Sequence, residues 1–180
     1  MIGRLWLLAM GSMVALFAPC FGAPGYFDLR SDVTLEGGES WSDRGQRFRL
    51  YGVQSCIRGT TFINRSGQRR DCGDASMAVF AAFIKDTHPQ CAPVVRVGAL
   101  SYVVCFSTVG TQTIDLATAL ISEGYAFAAL DTNGLPINSS YAVAEQDAKR
   151  RKAGLWQFPD VQHPSLLLSH AANIKGENQP

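Results

Sequence analysis

The five cysteines constrain this chain more than any other feature, because a disulfide framework and a metal site lead to different folds. Four of them lie in one stretch of the sequence: Cys56, Cys72, Cys91 and Cys105. Their spacing contains no short C-x-x-C pair, and the three histidines follow no zinc-ligand pattern. The sequence therefore favours two disulfides over a zinc site, and three connectivities are possible.

A predicted hairpin favours one of these connectivities. Cys91 and Cys105 flank two strand-like runs that meet at a Gly-Ala turn. Folding of this hairpin brings the two cysteines together, which leaves Cys56 to pair with Cys72. Each bridge is expected to stabilise the fold by roughly 2–4 kcal/mol.

Residues 1–23 are typical of a secretory signal peptide. Arg4 precedes an apolar run from Leu5 to Ala18, and small residues follow this run. An uncleaved N-terminal membrane anchor is the alternative, although the run is short for a membrane span. Export to the periplasm or the medium places the cysteines in an oxidising compartment, where disulfides persist. Contact with a membrane is expected only through residues 1–23, if they are not cleaved.

The composition indicates one globular domain, expected at 24–158, followed by a C-terminal tail at 159–180. Hydrophobic residues make up 47% of the 180 residues, which is enough for a proper core. The net charge of +1 gives no overall attraction to nucleic acid or membranes, so anion binding depends on local clusters. The sequence contains no P-loop motif and gives no sign of an organic cofactor.

Apolar periodicity predicts strands together with three main helices. The helices are expected from Asp74, as the N-cap, to Lys85, from Thr113 to Glu123, and from Ser139 to Gly154. Besides the cysteine hairpin, strands are predicted at 26–33, 46–53 and 125–129. A further short helix is expected in the tail, at 165–174.

The stretch 58–71 is polar and predicted to be a loop. It contains four arginines, which are Arg58, Arg65, Arg69 and Arg70. Such a run could contact phosphates, but a solvated loop is the more common meaning of these charges.

A carboxylate and an arginine near the strand at 46–53 form the candidate site. Glu39 lies in a glycine-rich loop, and Arg49 lies on the strand face opposite Phe48 and Leu50. If the two side chains converge, they would bind a metal ion and a phosphate. The alternative is an ordinary hairpin with exposed charges.

Several short motifs also occur in a characteristic order along residues 26–158. They are Arg-Leu-Tyr-Gly-Val at 49–53, Cys-Gly-Asp-Ala at 72–75, Leu-Ile-Ser-Glu-Gly-Tyr-Ala at 120–126 and Lys-Ala-Gly-Leu-Trp at 152–156. With the order of strands and helices, they resemble the staphylococcal-nuclease (thermonuclease) superfamily, in particular its exported bacterial branch with paired cysteines. The resemblance implies an α+β fold, a five-stranded OB-type β-barrel with three helices.

The resemblance also implies an active site from which most charged residues are missing. Active members hold calcium with two aspartates, activate water with a glutamate and clamp the phosphate with two arginines. Arg49 matches the first arginine. Glu39 lies in the Gly-Gly-Glu-Ser stretch that replaces the family's Asp-Gly-Asp-Thr.

Neutral residues occupy the other positions of the motif. Gln54 replaces the second calcium aspartate, and Ile57 replaces the water-activating glutamate. The family's second arginine comes from a Tyr-Gly-Arg motif, which aligns with Gly98-Ala99-Leu100 in this chain. The residues expected to line the resulting cleft are Gln54, Ser55, Ile57 and Leu100.

The resemblance therefore implies an exported nuclease-like protein that binds a ligand without cleaving it. Calcium prefers about six to eight oxygen ligands, so Glu39 alone would make a weak site. Loss of a general base typically costs roughly 10²–10⁴-fold in rate. The expected role is that of a binding protein of the cell envelope or of exopolysaccharide, with an oligonucleotide or a polysaccharide in the cleft and no cofactor. The alternative is a calcium-dependent endonuclease that cleaves DNA or RNA with Glu39 and Arg49.

Overall fold

The computed structural model describes residues 25–169 and shows a mixed α+β fold, as the sequence predicts. The strands are β1 (Phe27–Asp28), β2 (Thr34–Leu35), β3 (Ser40–Asp43), β4 (Gln46–Leu50), β5 (Val53–Ser55), β6 (Thr61–Ile63), β7 (Arg69–Asp71), β8 (Gln90–Val97), β9 (Leu100–Val109), β10 (Gln112–Asp115) and β11 (Ala126–Ala128). The helices are α1 (Cys72–Thr87), α2 (Leu116–Ser122) and α3 (Ser139–Arg151), followed by a 3-10 helix at Gly154–Gln157. The predicted signal segment lies outside the described residues.

A curled seven-stranded sheet forms the centre of the fold. Its order is β1-β8-β9-β4-β3-β2, and β10 also pairs with β9. The β4–β9 pair is parallel, so two strands that lie about 50 residues apart in the sequence are neighbours in the sheet. Two short ladders lie outside this sheet, formed by β5 with β11 and by β6 with β7.

Two hydrophobic clusters stabilise these elements. The larger cluster lies between the sheet and the first two helices, where Trp41, Phe80 and Leu120 are at most 1% exposed. The smaller cluster joins the β6–β7 ladder to β11 and the 3-10 helix through Phe62, Phe127, Leu155 and the Cys56–Cys72 pair. Burial of such side chains is the main source of stability in a domain of this size.

Both predicted disulfides are present. Cys91 and Cys105 are directly opposite each other on β8 and β9, and both are fully buried. Cys56 and Cys72 join the end of β5 to the start of α1. Because all four sulfurs form disulfides, the zinc alternative does not apply, and the bridges indicate an oxidising compartment. Among residues 25–169, no helix is both long enough and apolar enough to cross a membrane.

Several predicted helix boundaries are wrong. Helix α1 begins at Cys72, because Asp71 rather than Asp74 is its N-cap and accepts a hydrogen bond from the Asp74 backbone N–H. Helix α2 begins only at Leu116, because residues 112–115 form β10. Helix α3 ends at Arg151, where Lys152 adopts a left-handed conformation.

The predicted strands and loops also differ in part. The strand expected at 46–53 ends at Leu50, and β5 begins after a turn. Of the strand predicted at 26–33, only Phe27–Asp28 forms a strand. The strand predicted at 125–129 is shorter than expected and corresponds to β11. The stretch 58–71 is not a plain loop, since it contains the β6–β7 hairpin. The tail is helical at 164–169, and the remainder of the helix predicted at 165–174 lies outside the described residues.

Candidate functional site: a groove beside Arg49

Arg49 and Glu39 meet where β3 and β4 pair. Arg49 Nη2 lies 3.1 Å from Glu39 Oε1, and their side chains are 28% and 7% exposed. The register places Ser40 opposite Arg49, and the Leu50 N–H donates to the Glu39 carbonyl, so the loop carboxylate is held beside the strand. The guanidinium is therefore bound to a buried carboxylate on one side and reaches solvent on the other.

Gln54 is the second partner of Arg49. Arg49 Nη2 donates to Gln54 Oε1 over 2.6 Å, and Gln54 Nε2 donates to the Ser55 carbonyl over 3.2 Å. The Nη2 hydrogens are therefore shared between a carboxylate and an amide. Among residues 25–169, Nε and Nη1 of Arg49 have no hydrogen-bond partner, so these donors are free for an anion.

The environment of Glu39 does not fit a calcium ion. Oε1 of Glu39 is in the ion pair, and Oε2 is buried without a hydrogen-bond partner among the described residues. Glu39 Oε2 and the hydroxyls of Ser40 and Ser55 all lie within 4 Å of the point that a Cβ on Gly37 would occupy. Across the described residues, no three His, Cys, Asp or Glu side chains group together to hold a metal. One carboxylate and neutral hydroxyls do not supply the several anionic oxygens that calcium prefers.

A groove with a volume of about 380 Å³ opens beside Arg49 and Gln54. Its other lining side chains are mostly apolar or aromatic, and they include Tyr51, Val95, Val97, Tyr102, Leu130 and Ile137. The parallel register pairs Arg49 with Tyr102, and the rings of Tyr51 and Tyr102 meet edge to face with centroids 6.4 Å apart. This combination suits a ligand with one anionic group and an apolar or planar part.

Of the four predicted cleft residues, only Gln54 lines this groove. Ser55 follows Gln54 on β5 and therefore faces the opposite side, where it is buried and accepts a hydrogen bond from the Gly38 N–H. Ile57 lies beyond the end of β5 and is half-buried. Leu100 pairs with Arg47, two positions before Arg49.

Tyr51 and Tyr102 are site residues that sequence reasoning missed. The alternating burial along β9 places Leu100, Tyr102 and Val104 on one face, but apolar residues occupy both faces, so periodicity alone does not single out Tyr102. The parallel pairing that brings Tyr102 beside Arg49 has no local sequence signal. Tyr51 belongs to the Arg-Leu-Tyr-Gly-Val motif, but nothing in the motif predicts that its ring contacts Tyr102.

No protein-family model matches this chain, and no curated protein gives a significant match.

Proposed function

We propose that the chain is an exported, nuclease-like protein that binds a ligand in the groove beside Arg49 and does not cleave it. The ion pair between Glu39 and Arg49 supports this most strongly. Glu39 is poorly placed to act as a general base, because its Oε1 is in the ion pair and its Oε2 is buried. Within residues 25–169, the Nε and Nη1 nitrogens of Arg49 have no partner, so this side chain can still bind an anion.

The fold supports the nuclease-like part of this proposal. A curled sheet followed by α2, β11 and α3 is compatible with the five-stranded OB-type barrel and three helices that the motifs imply. OB-type barrels bind oligonucleotides and oligosaccharides on the face of the barrel. The two disulfides support a secreted or periplasmic location.

The groove favours an oligonucleotide over a neutral sugar. Arg49 offers donors to a phosphate, and Tyr51 and Tyr102 offer ring surfaces on which a base can stack. Stacking of a base on an aromatic side chain is worth roughly 1–3 kcal/mol. A polysaccharide ligand would have to be acidic to use the same guanidinium.

Fluorescence anisotropy with a labelled single-stranded oligonucleotide tests the proposal, with gel analysis of the same samples after incubation with calcium. We expect binding without cleavage, and Arg49→Gln should weaken binding by about tenfold, since a charge-assisted hydrogen bond is lost. Arg47→Gln is the matched control. Arg47 lies on the same face of β4, but it pairs with Glu36 and does not line the groove.

Two outcomes would overturn the proposal. Calcium-dependent cleavage of DNA or RNA that Arg49→Gln abolishes would establish the endonuclease alternative. Failure to bind either the oligonucleotide or an acidic polysaccharide would show that the groove is not a ligand site for these classes.

A further inference from the structure

One small disulfide-closed segment of this protein carries a net positive charge. Residues 56–72, here named the arginine hairpin, contain four arginines and one aspartate, a net charge of +3. The rest of the chain contains 12 basic and 14 acidic side chains, a net charge of −2. The overall charge of +1 therefore hides an uneven distribution of charge along the sequence.

The arginine hairpin is rigidly attached. The Cys56–Cys72 disulfide closes its base, and Phe62 packs on Phe158 with ring centroids 4.6 Å apart. At its tip, Asn64 Oδ1 accepts hydrogen bonds from two backbone N–H groups of the turn. Asp160 accepts a hydrogen bond from the Ile63 N–H and so ties the outer strand to the tail. The backbone that carries the arginines is thus fixed before any partner arrives, which lowers the entropy cost of binding.

Three guanidinium groups of the hairpin are available to a partner. Arg65, Arg69 and Arg70 are exposed, and none of them forms an ion pair within residues 25–169. The fourth, Arg58, is paired with Asp74. A guanidinium presents a planar fork of donors that matches a carboxylate, sulfate or phosphate.

The arrangement of these charges favours a flexible polyanion. Arg69 and Arg70 are consecutive on β7, so their side chains point to opposite faces of the ribbon, and Arg65 lies in the turn. A planar membrane would meet only one of these faces. The one aromatic ring of the hairpin, Phe62, is 6% exposed and cannot stack on bases in the way that single-strand binding proteins require. A flexible acidic polysaccharide can place carboxylates on both faces and at the tip.

We infer that the arginine hairpin is a binding surface for acidic polysaccharide, separate from the groove beside Arg49. This site does not depend on the proposed function of the groove. It uses exposed guanidinium forks on a disulfide-closed ribbon, whereas the groove uses a half-buried guanidinium and aromatic walls.

Binding of polygalacturonate, a linear carboxylate polymer, to the purified protein tests this inference. Neutral dextran, phosphatidylglycerol vesicles and a single-stranded oligonucleotide serve as the other probes. We expect polygalacturonate to bind with a marked salt dependence and dextran not to bind. The triple variant with Arg65→Gln, Arg69→Gln and Arg70→Gln should lose about tenfold or more in affinity and much of the salt dependence.

A control variant separates local from overall charge. Lys85→Gln, Arg96→Gln and Arg150→Gln together remove the same charge from exposed, scattered positions, and polygalacturonate affinity should then change by no more than about twofold, because distant charges are screened. Thermal unfolding checks that each variant is folded. If the glutamine variant does not fold, Arg65→Glu at the exposed tip provides the same test.

Several results would overturn the inference. These are equal losses in the hairpin and control variants, dextran binding as strong as polygalacturonate binding, or tighter binding of the vesicles or the oligonucleotide through the same arginines. Loss of polygalacturonate binding in Arg49→Gln would assign the polysaccharide to the groove, so it would contradict the hairpin site while leaving the groove proposal intact.

Discussion

Asp71 connects the arginine hairpin to helix α1 through a single carboxylate. Its Oδ1 accepts a hydrogen bond from the Asp74 N–H over 2.9 Å, and its Oδ2 accepts one from the Gly59 N–H over 2.7 Å. An aspartate at this position satisfies a backbone donor that the helix itself leaves unpaired. The same side chain therefore begins a helix and fixes the base of the hairpin.

We expect Asp71→Ala to lower the free energy of unfolding by about 1–2 kcal/mol, because the helix loses its N-cap. Asp74→Ala is the matched control. Asp74 is exposed and, within residues 25–169, forms an ion pair only with Arg58, and such surface ion pairs contribute at most about 1 kcal/mol. Urea unfolding at neutral pH measures both variants, and a larger loss for Asp74→Ala would mean that Asp71 is not the effective cap.

Glu145 is a buried carboxylate that interacts with three groups. Its Oε1 lies 2.6 Å from Lys149 Nζ, and its Oε2 accepts from the Ala128 N–H over 2.8 Å and lies 3.4 Å from His163 Nε2. Burial by itself raises the pKa of Glu145. The hydrogen bonds from His163, Lys149 and the Ala128 backbone outweigh burial, so the pKa lies below its usual value.

The lowered pKa of Glu145 predicts how stability depends on pH. The unfolded state binds more protons than the folded state between the two pKa values, so this contribution rises with pH. It is fully present above the unfolded pKa and is lost as the pH falls through the lower folded pKa. We expect Glu145→Gln to flatten the acid limb and to lower the free energy of unfolding at neutral pH by roughly 1–3 kcal/mol.

Urea unfolding across the acid range measures this effect. Asp147→Asn is the control, because Asp147 lies on the same helix but is exposed, and solvent screens its pairs with Arg150 and Arg151. Its curve should stay close to that of the parent protein. An acid limb that is the same in Glu145→Gln and in the parent would show that another group is responsible.

Helix α2 shows how far an element can be located from local sequence. Ala117, Leu120 and Ile121 have helical spacing and are all buried, and the helix ends before Gly124 as a glycine terminator predicts. Its start is wrong in the sequence prediction because residues 112–115 extend the sheet by pairing with β9. Apolar periodicity shows which face is buried, but it does not show that residues 112–115 turn back at Gly110 and pair with the preceding strand β9.

At the element scale, each disulfide should slow local unfolding, and therefore amide hydrogen exchange, in the part of the chain that it joins. We expect Cys56→Ala with Cys72→Ala to lower the free energy of unfolding by roughly 2–4 kcal/mol, because the unfolded chain gains freedom. Backbone amides of the arginine hairpin should then exchange faster with deuterated solvent. Protection of β8 and β9 should change little, since Cys91–Cys105 still joins them.

The matched experiment removes the other bridge. Cys91→Ala with Cys105→Ala should raise exchange in β8 and β9 and leave the hairpin protected. Mass spectrometry of the exchanged peptides distinguishes the two patterns. A uniform increase along the chain in both double variants would contradict local protection and indicate one cooperative unit.

On the scale of the whole molecule, the candidate site was only partly readable in the sequence. Glu39 and Arg49 lie on a loop and a neighbouring strand, and the structure brings them within 3.1 Å of each other. Tyr102 reaches Arg49 only through the parallel pairing of β4 with β9, which joins distant parts of the chain. A single sequence reports local pattern well, whereas long-range register depends on packing of the complete core.

The turn after α2 and the end of α3 are in direct backbone contact. A Cβ on Gly124 would lie 2.2 Å from the Ala153 carbonyl oxygen, and a Cβ on Gly154 would lie 2.2 Å from the Glu123 carbonyl oxygen. The Leu155 N–H donates to the Gly124 carbonyl over 3.0 Å across this contact. The contact joins α2, which belongs to the larger cluster, to Leu155, which belongs to the smaller one.

We expect Gly124→Ala to destabilise the protein far more than Gly110→Ala does. Both glycines have positive φ, +76° and +62°, but a Cβ on Gly110 would meet nothing within 4 Å. Gly110→Ala therefore adds only left-handed strain of about 1–2 kcal/mol, whereas Gly124→Ala adds a backbone overlap and should lower the free energy of unfolding by more than about 3 kcal/mol. Urea unfolding measures both. Equal losses would mean that the two segments separate at little cost, and that the two clusters are stabilised independently.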